Sequence, residues 1–382
     1  MIGRRWKGFE WGQTGLKWAQ TSLNYNKTIY NTNSRDFHIF RMLTCLKLEK
    51  NIVFIRNLKK ISKKRDLECT NYLNYVPVGA RPRFSILMEL AKPRLTFLVV
   101  LSTMSSYALA PFPVSSISTL IFLSIGTAMC SASANAFNMM LESEYDAQMS
   151  RTRYRPLVRG VISLPAVFSF VCITGALGTF SLIWGVNTTT AYLGVINIFL
   201  YGGVYTPLKR ISIINTWIGA VVGALPPLMG WSASSNGDLF SHPGGWILAC
   251  ILYTWQFPHF NSLSWNVRHE YARAGYQMMC VTNPALNARL ALRYSLLCFL
   301  FCWALPISGL LDPFYLIDSA IVNIFMISCS WRFYRHQTEK NARELFYASL
   351  IHLPAIFLLA LGHKVVMIWF KKENTKQMDS VS

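Results

Sequence analysis

The chain has 382 residues, 52% of them hydrophobic and only 14% charged, and its mean hydropathy is +0.30. That balance excludes an ordinary soluble domain of this size and predicts a polytopic membrane protein. The formal charge of +20 excludes nucleic acid as a partner, because the basic residues gather in the first eighty positions and in short loops between apolar runs, where they set orientation in a lipid bilayer.

Residues 1–82 carry Arg4, Arg5, Lys7, Lys17, Lys27, Arg35 and Arg41, then Lys59, Lys60, Lys63, Lys64 and Arg65, with few acids and no long apolar stretch. They read as a mitochondrial targeting region plus a basic linker, against the plainer alternative of a disordered tail. From there a membrane domain is expected over 83–370, followed by a polar tail over 371–382. Apolar runs long enough to cross a bilayer fall near 95–112, 116–141, 163–185, 190–206, 215–233, 244–264, 289–311, 314–332 and 347–363. The predicted fold is therefore all-α, with about nine transmembrane helices.

The connections support that count. Loops 142–162, 207–214, 265–288 and 333–346 are rich in lysine and arginine, whereas those at 113–115, 186–189, 234–243 and 312–313 contain none. Every second span thus ends on the basic side, which is the inside, or the matrix for a mitochondrial inner-membrane protein. Lys371 and Lys372 run against the rule. The nine cysteines are scattered and form no CxxC pair, so neither a disulfide framework nor a zinc site is predicted.

Chemistry is concentrated where the second span meets the basic side. Asn138, Glu142 and Asp146 stand at i, i+4 and i+8, which places their oxygens on one helix face over roughly 12 Å. Arg151, Arg153 and Arg155 follow. Such a face suits Mg²⁺, which is held by one or two carboxylates, water and substrate phosphate, while arginines grip the same phosphate. After the sixth span, Asn266 and Glu270 repeat the spacing of Asn138 and Glu142 on the same side of the membrane. Two such motifs converging on one cavity would hold a diphosphate whose remainder is greasy, as in an isoprenyl diphosphate. Phe137, Tyr145, Tyr201, Tyr205, Trp255 and Phe257 are available to line a pocket for its chain, or to act as interface anchors.

Four segments carry a resemblance: Ala91-Lys92-Pro93-Arg94; Asn138 through Leu157; Tyr205-Thr206-Pro207-Leu208-Lys209-Arg210; and Gln256-Phe257-Pro258-His259-Phe260. In this order, over about residues 83 to 362, they resemble the protohaem IX farnesyltransferases, or haem O synthases, a branch of the UbiA-type intramembrane prenyltransferases. The resemblance implies a helical bundle around a central cavity. It implies farnesyl diphosphate and haem B as substrates, haem O and diphosphate as products, Mg²⁺ as cofactor and a haem A synthase as partner.

It also implies site residues. Asn138, Glu142, Asp146 and Glu270 match the metal and catalytic positions, with Glu142 and Glu270 where relatives often carry aspartate or paired acids. Lys92, Arg94, Arg151, Arg155, Lys209 and Arg210 match diphosphate-binding positions. Pro156 is expected to force Arg155 into an extended loop folded over the site. His259 is the candidate haem ligand, since haem iron is commonly bound by histidine; Pro258 is expected to break the helix just before it and present the imidazole at the membrane boundary. His352 and His363 are secondary candidates. An aromatic quinone precursor is the alternative acceptor, and a secondary transporter is the alternative from another class.

Overall fold

A computed structural model describes residues 83–112 and 116–379, with side chains through Phe370. The targeting region expected over 1–82 lies outside the described residues. Two helices, α1 (Arg83–Ala91) and α2 (Pro93–Leu109), meet at Lys92, whose φ of 48° and ψ of 66° are left-handed. Few non-glycine residues adopt that conformation. Pro93 explains the break: its ring disfavours the right-handed helical region for the residue before it, while its own φ suits the first position of α2.

The remaining helices are α3 (Ile117–Asp146), α4 (Leu164–Gly185), α5 (Thr188–Leu208), α6 (Asn215–Ser234), α7 (Gly244–Asn266), α8 (Arg268–Arg273), α9 (Met279–Thr282), α10 (Pro284–Ile307), α11 (Tyr315–Arg335) and α12 (Glu339–Asp379). Among the described residues there is no strand, and nine long helices follow the nine predicted runs in order. Six of them, α3, α4, α5, α10, α11 and α12, are long and apolar enough to cross a membrane. Of the other three, α2 is short at 17 residues, and α2, α6 and α7 all line the cavity described below. The segment expected as a polar tail begins as a continuation of α12, which runs to Asp379.

Helices adjacent in the chain are adjacent in space, and α12 closes the ring by packing on α7 and α2. Close approach depends on small residues, as lipid-embedded helices require. A Cβ built on Gly230 of α6 would stand 2.0 Å from the Thr103 carbonyl oxygen and 3.0 Å from the Tyr107 nitrogen of α2. Both are backbone atoms and cannot rotate away. Gly230→Ala is therefore expected to destabilise the fold by about 1–3 kcal/mol, measured as a lower unfolding midpoint of the detergent-solubilised protein; an unchanged midpoint would show that α2 and α6 separate without cost.

Proline inside a helix removes one ladder bond, yet α7 passes through Pro258 without ending, and α6 through Pro226 and Pro227. The expectation that Pro258 breaks the helix is thus corrected. The flanking side chains are buried against neighbouring helices, and this packing holds the chain helical where propensity alone would not.

At the end away from the basic loops, Lys364 Nζ of α12 donates to the carbonyl oxygens of Ala108 (2.7 Å) and Ala110 at the close of α2. His363 beside it lies between Asp312 at 2.6 Å and Asp318 at 2.9 Å. These contacts tie α12 to α2 and α11 at that end only.

Candidate active site

Helix α3 has thirty residues, about 45 Å at helical rise, which exceeds the ~30 Å hydrocarbon core. Its first turn is capped by the Ser116 hydroxyl, which accepts the Thr119 N–H at 3.1 Å. Its last three turns carry polar residues beyond the apolar layer without interrupting the helix. The predicted face is present: Asn138, Glu142 and Asp146 are 1%, 6% and 2% exposed.

Each is held by a basic residue from elsewhere in the chain. Lys92 Nζ donates to Asn138 Oδ1 at 3.3 Å, and Asn138 Nδ2 donates to the Thr206 hydroxyl at 2.9 Å. Lys209 Nζ donates to Glu142 Oε1 at 2.7 Å. Arg155 Nη1 bonds Asp146 and stands 3.7 Å from Glu142 Oε2. Three cations therefore face two carboxylates in a nearly dry pocket, leaving one positive charge in excess. That excess pre-arranges the site for an anion.

The two lysines that lie outside the spans differ in how firmly they hold their charge. Burial, reinforced by Arg155 and Lys209, pulls the Lys92 ammonium down to about 7 despite Glu142 and Asp146, so near neutral pH it is about half protonated, and the excess becomes a full charge when an incoming anion favours its proton. For Lys209 burial also acts downward, but the bonded Glu142 carboxylate outweighs it and holds the ammonium above its ordinary value.

The Arg155 loop, expected to be extended and folded over the site, is folded back but not extended. It is a run of turns in which the Arg155 N–H donates to Thr152 O at 3.0 Å and the Arg159 N–H to Arg155 O at 3.0 Å. The Thr152 hydroxyl donates to Asp146 O at 3.1 Å, and Arg159 Nη2 bonds Glu89 of α1 at 2.7 Å. These bonds fold the loop back onto α3 and bring Arg155, which stands at a bend outside any helix, to the site.

The second acidic motif is placed differently from the first. Helix α7 ends at Asn266, whose amide donates to Ser262 O at 3.1 Å, and Val267 separates it from α8. Asn266 and Glu270 thus share no continuous helix face, unlike Asn138 and Glu142. One Glu270 oxygen is bonded by the Ser150 hydroxyl, while its Oε2 is buried without a partner. Arg94 and Arg151 are exposed. Arg210 is also exposed and lies over the Tyr145 ring at 3.9 Å. The structure therefore gathers Lys92, Asn138, Glu142, Asp146, Arg155 and Lys209, and leaves Arg94, Arg151, Arg210 and Glu270 out of this bonded set.

Beside the polar cluster lies a cavity of about 420 Å³ between α2, α3, α5, α6, α7 and α12. A π-helical segment of α5, Phe199–Tyr205, turns Tyr201 and Tyr205 into its wall, stacked with centroids 5.6 Å apart. Such segments accumulate at functional sites. Gly202 allows the turn, since a Cβ there would meet the Phe137 ring at 2.0 Å. Lys209 Nζ stands 4.4 Å from the Tyr205 centroid, joining the cavity to the cluster. Of the predicted aromatic lining, Tyr201, Tyr205, Trp255 and Phe257 are in the wall, whereas Phe137 packs behind Gly202 and Tyr145 lies against Tyr276 at 5.9 Å with the rings tilted by 59°.

His259 also lines the cavity, well inside α7 rather than at its boundary. Its ring stacks on Trp255 at 4.6 Å and on Phe346 at 5.1 Å, and its Nδ1 is 2.9 Å from the Ser349 hydroxyl. The other histidine candidates are committed elsewhere. His352 is buried with Nε2 on Asn323 Oδ1 at 3.0 Å, and His363 is held by two aspartates. Sequence reasoning missed Thr206, Phe346 and Ser349; each meets its partner across 68, 87 or 90 positions of chain, and no local spacing signals such pairs.

A cation-rich cluster beside an apolar, aromatic cavity can hold an anionic head group and a hydrocarbon tail at once. Comparison with known proteins agrees. The profile of the UbiA prenyltransferase family matches residues 99–359. The mitochondrial protoheme IX farnesyltransferase of Yarrowia lipolytica is 52% identical over 291 residues, 72% of this chain and 61% of that protein. That of Kluyveromyces lactis is 49% identical over 315 residues, 77% of this chain and 69% of that protein. Among solved structures, a study of digeranylgeranylglyceryl phosphate synthase gives a TM-score of 0.65 at 16% identity, covering 75% of this chain and 99% of that one. A UbiA homolog from Archaeoglobus fulgidus bound to DMAPP and Mg²⁺ gives 0.53 at 15% identity, covering 72% and 98%. At such identities the two structures speak for the fold alone. By its profile match and its relatives, the chain belongs to the UbiA prenyltransferase family, in the branch of the mitochondrial protoheme IX farnesyltransferases.

Proposed function

We propose that the protein transfers the farnesyl group of farnesyl diphosphate to the 2-vinyl group of haem B, with addition of water, giving haem O and diphosphate. The observation that carries this reading is the excess of buried cations over carboxylates at the mouth of an aromatic cavity. The named relatives direct the choice of acceptor. The enzyme is placed in the mitochondrial inner membrane with its basic loops on the matrix side, and its product passes to a haem A synthase.

Mg²⁺ fits the donor set. Asn138 Oδ1 and the carboxylates of Glu142 and Asp146 are hard oxygen ligands on one helix face, whereas Glu270 Oε2, buried without a partner, does not group with them. Among the described residues no three His, Cys, Asp or Glu side chains form a cage. This suits an ion that completes its shell with substrate phosphate and water. When bound, the ion supplies positive charge that stabilises the departing diphosphate.

The protein's own groups do the rest. Lys92, Arg155 and Lys209 turn from Asn138, Asp146 and Glu142 toward the diphosphate and neutralise the charge that grows as the allylic C–O bond breaks. Arg94, Arg151 and Arg210 form an outer basic rim that draws the anion in. Tyr201, Tyr205, Trp255 and Phe257 present ring faces to the developing allylic cation and keep water from it until the vinyl carbon has attacked. His259, stacked on Trp255 in the same helix, holds the haem.

Purified protein in lipid nanodiscs, given labelled farnesyl diphosphate, haem B and Mg²⁺, is expected to place label in a hydroxyethylfarnesyl haem, and EDTA to stop it. Label appearing in an aromatic quinone precursor and not in haem would assign the chain to the other acceptor class. A second check is haem B absorbance of the purified protein: it is expected to fall at least about tenfold in His259→Ala, and a spectrum indifferent to that change would remove His259 from the acceptor site.

A further inference from the structure

The surroundings of His259 are more specific than a haem contact alone requires. A serine hydroxyl has one proton to donate, and that of Ser349 goes to the Phe346 carbonyl oxygen at 2.6 Å. Its contact with His259 Nδ1 at 2.9 Å must then run the other way, with the imidazole donating and the Ser349 oxygen accepting. A neutral imidazole carries a single N–H, so the proton is fixed on Nδ1 and the lone pair on Nε2. Nε2 has no protein partner among the described residues and is not sealed off from the cavity that His259 lines.

The same serine fixes the ring's plane. Its carbonyl oxygen accepts the Trp255 indole N–H at 2.9 Å. Trp255 is four residues before His259 on α7 and stacks on the imidazole with an interplanar angle of 16°; Phe346 of α12, one turn before Ser349, covers the opposite side at 29°. Hydroxyl and carbonyl of one residue therefore hold two consecutive turns of α7. Ser349 itself is fully buried, so water does not compete for either bond.

We infer that Ser349 is a positioning residue for the acceptor: together with Trp255 and Phe346 it locks His259 as the Nδ1–H tautomer and presents Nε2 to the haem iron as an axial ligand. This rests on the reading of His259 as the haem-holding residue and adds what sets its tautomer, plane and basicity. A hydrogen bond from the distal N–H raises the basicity of a ligating imidazole. The inference also explains why the last span must lie against the sixth: α12 supplies half of the ligand's mount.

The test uses the full chain in nanodiscs with ferrous haem B and reads the iron–histidine stretching band by resonance Raman, with KM measured for each substrate. Ser349→Ala is expected to move the band to lower frequency and raise the haem KM about tenfold, leaving the KM for farnesyl diphosphate unchanged, which also shows that the variant is folded. Ser349→Thr, which keeps the hydroxyl, is expected to restore both. Trp255→Phe, which keeps the stack but loses the bond to Ser349, should shift the band in the same direction. A band lost in His259→Ala but unmoved in Ser349→Ala overturns the role of Ser349 alone. A band absent from the wild type, or retained in His259→Ala, overturns the ligand assignment and the inference with it.

Discussion

Asp146→Ala is expected to abolish Mg²⁺-dependent haem O formation in membranes, a loss on the order of 10³-fold in kcat. Asp146 is the last residue of α3 and is 2% exposed. A carboxylate at a helix C-terminus meets the negative end of the helix dipole. Arg155 compensates by bonding it, and the Thr152 hydroxyl ties the same turn through the Asp146 carbonyl. Stability alone is a poor reason to bury an acid there; a metal and a diphosphate that need it are better ones. The alanine variant removes one ligand and also frees Arg155 from the place where it waits for substrate. Asp146→Asn separates the two effects, since it keeps the volume and a hydrogen-bonding oxygen while losing the charge. Incorporation of labelled farnesyl into haem, at saturating substrate and a series of Mg²⁺ concentrations, should show the asparagine variant rescued in part by high Mg²⁺ and the alanine variant not at all. Turnover at the wild-type rate in Asp146→Ala would remove the residue from the reaction.

Much of this architecture could be read along the chain, because membranes impose one-dimensional constraints. Run length gave the helices, and the alternation of basic and neutral loops gave their directions. The i, i+4, i+8 spacing of Asn138, Glu142 and Asp146 survives because α3 continues to Asp146, past the run that hydropathy ended at 141. Lys92, Arg155 and Lys209 were also legible, each lying near the basic end of a span.

The failures share a cause. Asn266 and Glu270 have the same spacing as Asn138 and Glu142, but spacing has meaning only on an unbroken helix, and Val267 interrupts theirs. Pro258 reads as a breaker from local chemistry, yet the buried flank of α7 keeps it helical. The loop of Arg155 was expected to be extended, and hydrogen-bonded turns before and after Arg155 make it compact instead. The Ser349 mount for His259 had no signature at all, since its members come from helices ninety residues apart.

The Lys209 and Glu142 pair allows fold and chemistry to be separated within one site. Breaking a buried ion pair by removing one partner costs about 3–5 kcal/mol, because the other charge is left in a poorly solvated place, whereas replacing both by neutral groups is often neutral. Side-chain exposures of 14% and 7% put this pair in the buried class, and Arg155 at 3.7 Å offers Glu142 only partial relief. Lys209→Met is therefore expected to cost about 3 kcal/mol, read as a lower unfolding midpoint in detergent, and Glu142→Gln in the same chain to recover most of it. Activity should behave otherwise. Lys209→Met alone is expected to raise the KM for farnesyl diphosphate at least about tenfold through loss of a charge-assisted bond. Adding Glu142→Gln should restore the fold yet lower kcat by a further ~100-fold, since a metal ligand has gone as well. Should the double variant regain turnover along with stability, the two residues would be a structural pair and nothing more. A double variant as unstable as Lys209→Met would mean that Arg155 at 3.7 Å already relieves Glu142 of its burial cost.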